Sequence, residues 1–226
     1  MKIKRQINLF LNQQKELFGN ELFTYSLNKS IIKKTLLNRE SYAKENLEDY
    51  KNSINLCQEC SLGKTRNNFV FGSGDHNADL MLVGDVPGAN EDNQGVPFAG
   101  REGKLLDRIL SAIGKNRRSD VYLANILKCY IPQNRNPLLS EISKCESYLF
   151  KQIEFINPKV ILALGRISGK VLLNMDLPLE KLRENVHDFK GIPVRVTYHP
   201  AALLRNPDFK KEAWKDFKWA TTLLKN

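Results

Sequence analysis

Residues 84–103 have the sequence Gly84-Asp85-Val86-Pro87-Gly88-Ala89-Asn90-Glu91-Asp92-Asn93-Gln94-Gly95-Val96-Pro97-Phe98-Ala99-Gly100-Arg101-Glu102-Gly103. An apolar run over residues 80–83 precedes this segment, and an amphipathic pattern over residues 104–113 follows it. These patterns predict a buried strand and a helix joined by a long loop. Open α/β sheets bind ligands in loops of this kind, which follow the carboxyl ends of strands. We expect a functional loop rather than a disordered one, because disorder would not require its Pro-Gly and Pro-Phe-x-Gly turns.

The composition indicates a globular chain that binds a polyanion. Its 226 residues are 42% hydrophobic and 27% charged, which is enough for one α/β domain and an extension. No apolar run reaches bilayer length, and residues 1–15 lack the apolar core of a secretory signal. We therefore expect a cytoplasmic protein with no membrane partner. The net charge of +10 favours nucleic acid as a partner.

The remaining patterns alternate between strands and helices. Such alternation predicts a three-layer α/β/α sandwich with a central four-stranded parallel sheet. Ser140 is a plausible N-cap for the helix after Pro137, with Glu141 in its first turn. The predicted strands cover residues 78–83, 121–127, 160–164 and 192–197, and the predicted helices cover residues 104–113, 137–156, 167–175 and 209–224.

The chain divides into two parts by composition. Residues 1–52 are rich in Lys, Asn, Leu and Phe and have apolar positions at helical spacing, so we expect an N-terminal helical extension. Residues 53–226 contain every strand pattern and form the expected α/β domain. The sequence does not indicate what the extension binds.

Polar residues follow the ends of three different predicted strands. Asp85, Asn125 and His199 each lie at or just past a strand's carboxyl end. Because ligands bind at that edge of a doubly wound sheet, we expect these residues to share one crevice.

The chain has four cysteines, Cys57, Cys60, Cys129 and Cys145. In a cytosolic protein, an even set that includes a Cys-x-x-Cys pair indicates metal ligation before disulfides. Zinc and a 4Fe-4S cluster are both compatible with four thiolates. The wide spread of the ligands is unlike compact zinc knuckles and slightly favours iron-sulfur.

Four ordered motifs resemble the iron-sulfur uracil-DNA glycosylases, family 4 of that superfamily. They are Cys-x-x-Cys at residue 57, Gly-Asp-Val-Pro-Gly-Ala-Asn-Glu-Asp-x-x-Gly-x-Pro-Phe-Ala-Gly at residue 84, Ala-Asn-Ile-Leu-Lys-Cys-x-x-Pro-x-Asn-Arg-x-Pro at residue 124, and Tyr-His-Pro-Ala-Ala-Leu-Leu-Arg at residue 198. The resemblance extends from about Leu56 to the C-terminus and leaves the first fifty residues outside it.

The resemblance implies hydrolysis of the N-glycosidic bond of uracil in single- or double-stranded DNA, which leaves an abasic site. It also implies that Cys57, Cys60, Cys129 and Cys145 hold a 4Fe-4S cluster with a structural role. We expect a monomer that works in base excision repair.

The motifs also suggest how a uracil would be bound. An enzyme that acts on a base in duplex DNA must flip it into a pocket and recognise its face and edge. Phe98 offers a ring face, and Asn125 offers a donor and an acceptor for the N3 and O4 edge. By resemblance, His199 donates to the uracil O2, helped by backbone amides from Gly84 to Val86, and such donors lower the barrier.

Two acids are candidates for orienting the attacking water beneath the sugar C1′, namely Glu91 and Asp85. Asp85 departs from the family pattern, in which the corresponding residue is usually Glu. The shorter side chain puts the role of Asp85, and full activity, in question.

The segment after His199 would contact DNA. By resemblance, Leu203 and Leu204 fill the space of the flipped base as apolar wedges, and Arg205 holds a phosphate. Lys128 and Arg135 are further candidates for phosphate contacts.

Two other functions are compatible with the same residues. One is a cluster-bearing DNA-binding module that has lost activity through Asp85, and it would bind uracil-DNA without releasing the base. The other is a glycosylase of altered base choice, which would release hypoxanthine or xanthine at least as fast as uracil.

Overall fold

A computed structural model describes residues 46–224. The chain divides into one unit ending at Glu45 and a compact unit beginning at Asn46. Most of the predicted helical extension, residues 1–52, therefore lies outside the described residues. Its last part forms a helix that packs on the α/β core through the buried side chain of Leu47.

The compact unit alternates strands and helices as the sequence patterns predict. Short 3-10 helices at Ser61–Lys64 and Pro132–Asn134 lie in the connections. The elements are α1 (Leu47–Ile54), β1 (Ser73–Gly74), β2 (Leu80–Gly84), α2 (Ala89–Gln94), α3 (Arg101–Ala112), β3 (Val121–Asn125), α4 (Leu139–Ile156), β4 (Val160–Leu164), α5 (Arg166–Leu173), α6 (Leu179–Arg183), β5 (Val186–Phe189), β6 (Ile192–Thr197), α7 (Pro200–Arg205) and α8 (Phe209–Leu223).

The strands form one mixed sheet in the order β1-β3-β2-β4-β6-β5. Its centre consists of four parallel strands, β3, β2, β4 and β6, as predicted, and β1 and β5 pair antiparallel at the two edges. Neither edge strand was predicted from the sequence. β1 has two residues, and β5 is mostly exposed, so neither has the apolar run of a central strand.

Helices cover both faces of the sheet. In β2, Met81 and Val83 face the layer of α1, α4, α5 and α6, while Leu80 and Leu82 face α3 and α8. This alternation follows from the pleat of a strand, which points successive side chains to opposite faces. Both layers are therefore closed by apolar packing, and the three-layer α/β/α fold is confirmed.

Two local predictions differ from the structure. The loop at residues 84–103 contains the short helix α2, which ends at Gly95 in a left-handed conformation. Helix α4 begins at Leu139 rather than after Ser140, and Glu141 accepts a hydrogen bond from the Leu138 amide at 2.8 Å. The carboxylate of the first turn therefore supplies the cap that Ser140 was predicted to provide.

None of the helices within residues 46–224 combines the length and the apolar character required to cross a bilayer. The expected cytoplasmic location stays a prediction.

Candidate active site

The carboxyl ends of the parallel strands bring the site together. Gly84 at the end of β2 pairs with Asn125 at the end of β3, and β6 ends at Thr197, two residues before His199. A pocket opens at this edge, where the sequence predicted a crevice shared by polar residues that follow the strands, and Asn125 and His199 line it. It is lined by Gly88, Ala89, Asn90, Glu91, Phe98, Glu102, Asn125, Asn134, His199 and Ala201.

Asn125 presents a buried amide to the pocket. The residue is only 3% exposed, yet within residues 46–224 no group hydrogen-bonds to its side chain. Its backbone carbonyl accepts a hydrogen bond of 2.7 Å from Lys128 Nζ, which fixes the end of β3. Within residues 46–224 the one enclosed side-chain polar atom without a hydrogen-bond partner is Asp107 Oδ1, so the Asn125 amide is open to the pocket and available to a ligand.

Phe98 forms the wall above Gly84. Its ring lies 5.8 Å from the His199 ring at an interplanar angle of 29°, and its backbone has φ of 55°, a left-handed conformation. A Cβ on Gly84 would lie 2.7 Å from Phe98 Cζ and still closer to Asn125 Oδ1. A Cβ on Gly103 would overlap the Phe98 carbonyl. The two glycines therefore make room for the Phe98 turn and ring.

His199 caps the N-terminus of α7 with its own side chain. Its Nδ1 accepts a hydrogen bond of 3.2 Å from the Ala201 amide, so in the neutral ring the proton belongs to Nε2. Burial lowers the pKa of His199 from its ordinary 6.5, against the opposing effect of the acids Asp85, Glu102 and Glu91. His199 is therefore a neutral imidazole at neutral pH, with Nε2–H free to donate to a ligand.

Asp85 lies behind the pocket rather than on its wall. Its Oδ1 accepts a hydrogen bond of 2.7 Å from the Ser168 amide at the N-terminus of α5. Burial raises the pKa of Asp85, while His199 and the Ser168 amide act in the opposite direction. A Cβ on Gly165 would collide with this carboxylate, so the glycine provides its space. Asp85 thus links the end of β2 to α5, and its carboxylate interacts electrostatically with His199.

Glu91 lines the pocket and also holds its loop. Its Oε1 accepts hydrogen bonds from the backbone amides of Ala99 at 2.8 Å and Gly100 at 3.2 Å. These bonds tie α2 to the Phe98 turn, and the second carboxylate oxygen lies against Gly88. Glu91 therefore brings a negative charge to the pocket while fixing the loop that forms it.

The predicted substrate residues Gly84 and Val86 are placed differently. Gly84 lies directly beneath Phe98 and Asn125. The Val86 side chain packs with the apolar cluster around the cysteines, and Val86 is not among the residues that line the pocket.

The three predicted DNA-contacting residues differ in how far they are exposed to solvent. Leu203 is fully buried with Leu105, Tyr198 and Ala213, so its side chain does not reach the surface in this structure, and its role as an apolar wedge stays a prediction. Leu204 is half-buried and Arg205 is exposed, both on α7 beside the pocket. Their DNA contacts stay predictions.

Of the two candidates for additional phosphate contacts, Lys128 is excluded. Lys128 is fully buried and donates to Gln152 Oε1 at 2.6 Å, and burial lowers its pKa to about 7. Arg135 is exposed, but it forms a two-pronged ion pair with Glu141, with distances of 2.6 and 3.0 Å.

The four cysteines line one small cavity. All four are free thiols. Two side-chain donors reach their sulfurs, Arg66 Nη1 at 3.2 Å from Cys129 Sγ and Tyr148 Oη at 3.1 Å from Cys57 Sγ, and the Glu59 backbone amide donates to Cys57 Sγ at 3.5 Å. Burial raises the pKa of Cys129, and that of Cys145 to about 12. In the part of the chain that the structure describes, no three His, Cys, Asp or Glu side chains are arranged to bind one metal ion. The four cysteines nevertheless come together at this cavity from positions as far apart in the sequence as Cys57 and Cys145.

Sequence reasoning missed three polar residues of the pocket wall, Asn90, Glu102 and Asn134. The first two belong to the loop already singled out, at positions that carry no pattern of their own. Asn134 has φ of 52° after Gln133 with φ of 61°, and the Gln-Asn pair after Pro132 was an available signal for such a turn.

Comparisons with known proteins agree with this geometry. The sequence model of the family described as "Uracil DNA glycosylase superfamily" matches residues 71–218. A "Type-4 uracil-DNA glycosylase" of Archaeoglobus fulgidus is 41% identical over 182 residues, which covers 77% of this chain and 91% of that protein. Proteins of the same description from Saccharolobus solfataricus and Thermotoga maritima are 40% and 37% identical, covering 77% and 81% of this chain and 84% and 98% of theirs.

Proposed function

Because the chain belongs to the uracil DNA glycosylase superfamily, we propose that it hydrolyses the N-glycosidic bond of uracil in DNA and leaves an abasic site. The observation that carries the proposal is the Asn125 amide, which is 3% exposed, has no hydrogen-bond partner within residues 46–224 and lines the pocket beside Phe98. An amide in this setting can read the edge of a base whose face rests on an aromatic ring.

Base recognition follows from the two faces of the pocket. The Asn125 side chain has a donor for the uracil O4 and an acceptor for N3–H, which together distinguish uracil from cytosine. Phe98 stacks on the base, and its ring position is limited by Gly84 and His199. The base edge is thus recognised by the neutral Asn125 amide, without a charged side chain.

The leaving group is stabilised by His199. As the bond between C1′ and uracil N1 breaks, its electron pair moves into the base, and negative charge develops on O2. The neutral His199 ring keeps Nδ1 on the Ala201 amide and offers Nε2–H to that oxygen. A donor aimed at developing charge accelerates such reactions by about 10²–10³.

Water attacks C1′ on the opposite face of the sugar, and as the new C–O bond forms its proton passes through solvent to the departing uracil anion, which leaves as neutral uracil. Glu91 lines the pocket and carries the negative charge that favours a cation-like sugar. Asp85, which caps α5 and lies near His199, acts mainly by holding the site rather than by contacting water. This division of roles accommodates the shorter side chain at position 85.

The DNA strand would lie across α7. Arg205 is exposed and suited to a phosphate, Leu204 is the more exposed of the two leucines predicted to fill the space of the flipped base, and the net charge of +10 favours the polyanion. A monomer suffices, because the pocket is formed by residues of one chain.

The cysteines are suited to a 4Fe-4S cluster. Four thiols from three segments line one cavity, and Arg66 and Tyr148 offer hydrogen bonds to the sulfurs. Cys57, Cys60, Cys129 and Cys145 would hold the cluster, which would join the segment at residues 55–66 to the connection after β3 and to α4. Its role is structural, and no step of base release passes through it.

Single-turnover release of uracil from single- and double-stranded oligonucleotides, read as alkali-sensitive breaks, tests the proposal. We expect His199→Ala and Asn125→Ala to slow release by about 10² or more, whereas the exposed controls His76→Ala and Asn136→Ala stay within about twofold of wild type. A folded wild type that binds uracil-DNA without breaking it would instead indicate a binding module. Faster breaks at hypoxanthine than at uracil would indicate a different base choice.

A further inference from the structure

Arg117 reaches from the connection between α3 and β3 to the turn that carries Phe98. Its Nη2 donates to the Pro97 carbonyl at 2.9 Å, and its Nη1 donates to the Phe98 carbonyl at 3.1 Å. One planar guanidinium therefore binds two consecutive carbonyls through two different nitrogens, a rigid fork that the single nitrogen of a lysine ammonium does not have.

The turn that Arg117 binds is one that needs support. Phe98 has φ of 55°, which is unfavourable for a residue with a bulky side chain. Such a conformation persists only where the surrounding structure maintains it, at an ordinary cost of about 1–3 kcal/mol. Glu91 supports the turn from the C-terminal side through Ala99 and Gly100, and Arg117 supports the carbonyls before them.

Arg117 is itself held in place. Its Nη1 lies 3.2 Å from Asp107 Oδ1 on α3, and its side chain is 24% exposed. Helix α3 also carries Gly103, which lies against the Phe98 carbonyl. The guanidinium is therefore fixed to the same helix that the turn rests on, and it does not line the pocket.

We propose that Arg117 is a positioning residue, whose hydrogen bonds to the Pro97 and Phe98 carbonyls hold the left-handed Phe98 turn and so keep the Phe98 ring on the base. The inference rests on the proposed function of the pocket. A displacement of the ring would leave DNA binding intact and slow base release, because misplacement of about 1 Å can cost about 10²-fold in rate.

A phosphate contact by Arg117 is the competing explanation, and it has a different signature. Loss of a phosphate contact weakens DNA binding and reduces its salt dependence, whereas loss of a positioning contact lowers the rate at saturating enzyme. Arg118 is the matched control, because it is an exposed arginine one residue further along the chain.

The experiment compares Arg117→Ala, Arg117→Lys and Arg118→Ala for single-turnover uracil release at saturating enzyme. Affinity is measured on a duplex that contains a cleavage-resistant 2′-fluoro deoxyuridine. We expect Arg117→Ala and Arg117→Lys to lose about tenfold or more in rate with affinity within about twofold of wild type, and Arg118→Ala to keep its rate within about twofold. Methylguanidine should restore part of the Arg117→Ala rate and leave wild type unchanged. A rate loss below twofold, or a loss confined to affinity, overturns the proposal.

Amide hydrogen exchange tests the support of the Phe98 turn without measuring activity. It uses Arg117→Lys and Asp107→Asn, so it does not depend on whether Arg117→Ala folds. We expect peptides that cover residues 96–100 to exchange faster in Arg117→Lys, and in Asp107→Asn, than in wild type, while peptides of β4 are unchanged. Unchanged exchange at residues 96–100 contradicts the proposal. If wild type releases no uracil, the proposed function fails, and the exchange result still decides whether Arg117 holds the turn.

Discussion

Replacing Gly84 with alanine should cost base release far more than it costs folding. The Cβ of the new side chain would lie 2.7 Å from Phe98 Cζ, whereas ordinary van der Waals contact begins at 3.4 Å. The Phe98 ring would therefore have to move by about 0.7 Å, the difference between these distances, and Asn125 would also have to move. Both groups that are proposed to bind the base would be displaced by one methyl group.

The size of the effect follows from that displacement. Misplacement of about 1 Å at a reacting centre can lower the rate about 10²-fold, so a shift of this size should cost about 10- to 100-fold. This loss corresponds to about 1.4–2.7 kcal/mol in the activation free energy. Folding should lose about 1–3 kcal/mol, as is typical of overpacking.

Gly114→Ala is the matched control. Gly114 has φ of 71° with no atom near its would-be side chain, so alanine there is strained without touching the pocket. It should cost about 1–2 kcal/mol of stability and leave the rate within about twofold of wild type. Single-turnover uracil release and thermal unfolding measure the two quantities. A Gly84→Ala variant that keeps the wild-type rate would refute the placement of Phe98 and Asn125 against Gly84.

Three further predictions concern the other groups of the site. Because burial lowers the pKa of His199, the acid limb of the rate should lie below pH 6.5. The unfolded chain then binds the extra proton, so stability should also fall below that pH; an acid limb above pH 6.5 would contradict the neutral imidazole. Asn125→Asp replaces a donor with an acceptor, so uracil release should fall by about 10² or more and the preference for uracil over cytosine should narrow, whereas Asn136→Asp should match wild type. Cys145→Ser should remove the broad visible absorbance of the purified protein and lower its unfolding temperature, and a colourless wild type that contains zinc would refute the cluster.

The position of the site could be predicted because parallel strands place their carboxyl ends at one edge. Asn125 and His199 were therefore assigned to one crevice from their places after two different strands, and both line the pocket. The central sheet was predictable for a related reason, since strands buried on both faces have continuous apolar runs. The edge strand β5 lacks such a run and pairs through a two-residue Lys190-Gly191 turn, a hairpin signal that was available in the sequence.

The roles of individual side chains were less predictable, because they depend on partners far away in the sequence. Leu203 and Arg205 belong to the same motif, but Leu203 is buried against α3 and α8. Lys128 was a candidate for a surface contact with phosphate because lysine is normally exposed, yet it is fully buried and donates a hydrogen bond to Gln152. Arg117 has no motif at all, and only its distance to the Phe98 turn singles it out.

Local patterns in the amino-acid order were sufficient for the order of the four central strands and the helices α3, α4, α5 and α8, the edge at which the ligand binds and several of the residue types that meet there. Periodicity and strand direction are properties of neighbouring residues, and they carry this information within one segment. The tertiary structure decided which carboxylate supports a loop, which leucine is core, and which nitrogen of His199 retains its proton. Each of these outcomes depends on where the folded backbone places neighbouring groups, as it places the Ala201 amide 3.2 Å from His199 Nδ1 and the Ala99 amide 2.8 Å from Glu91 Oε1. Periodicity along a segment does not encode such contacts.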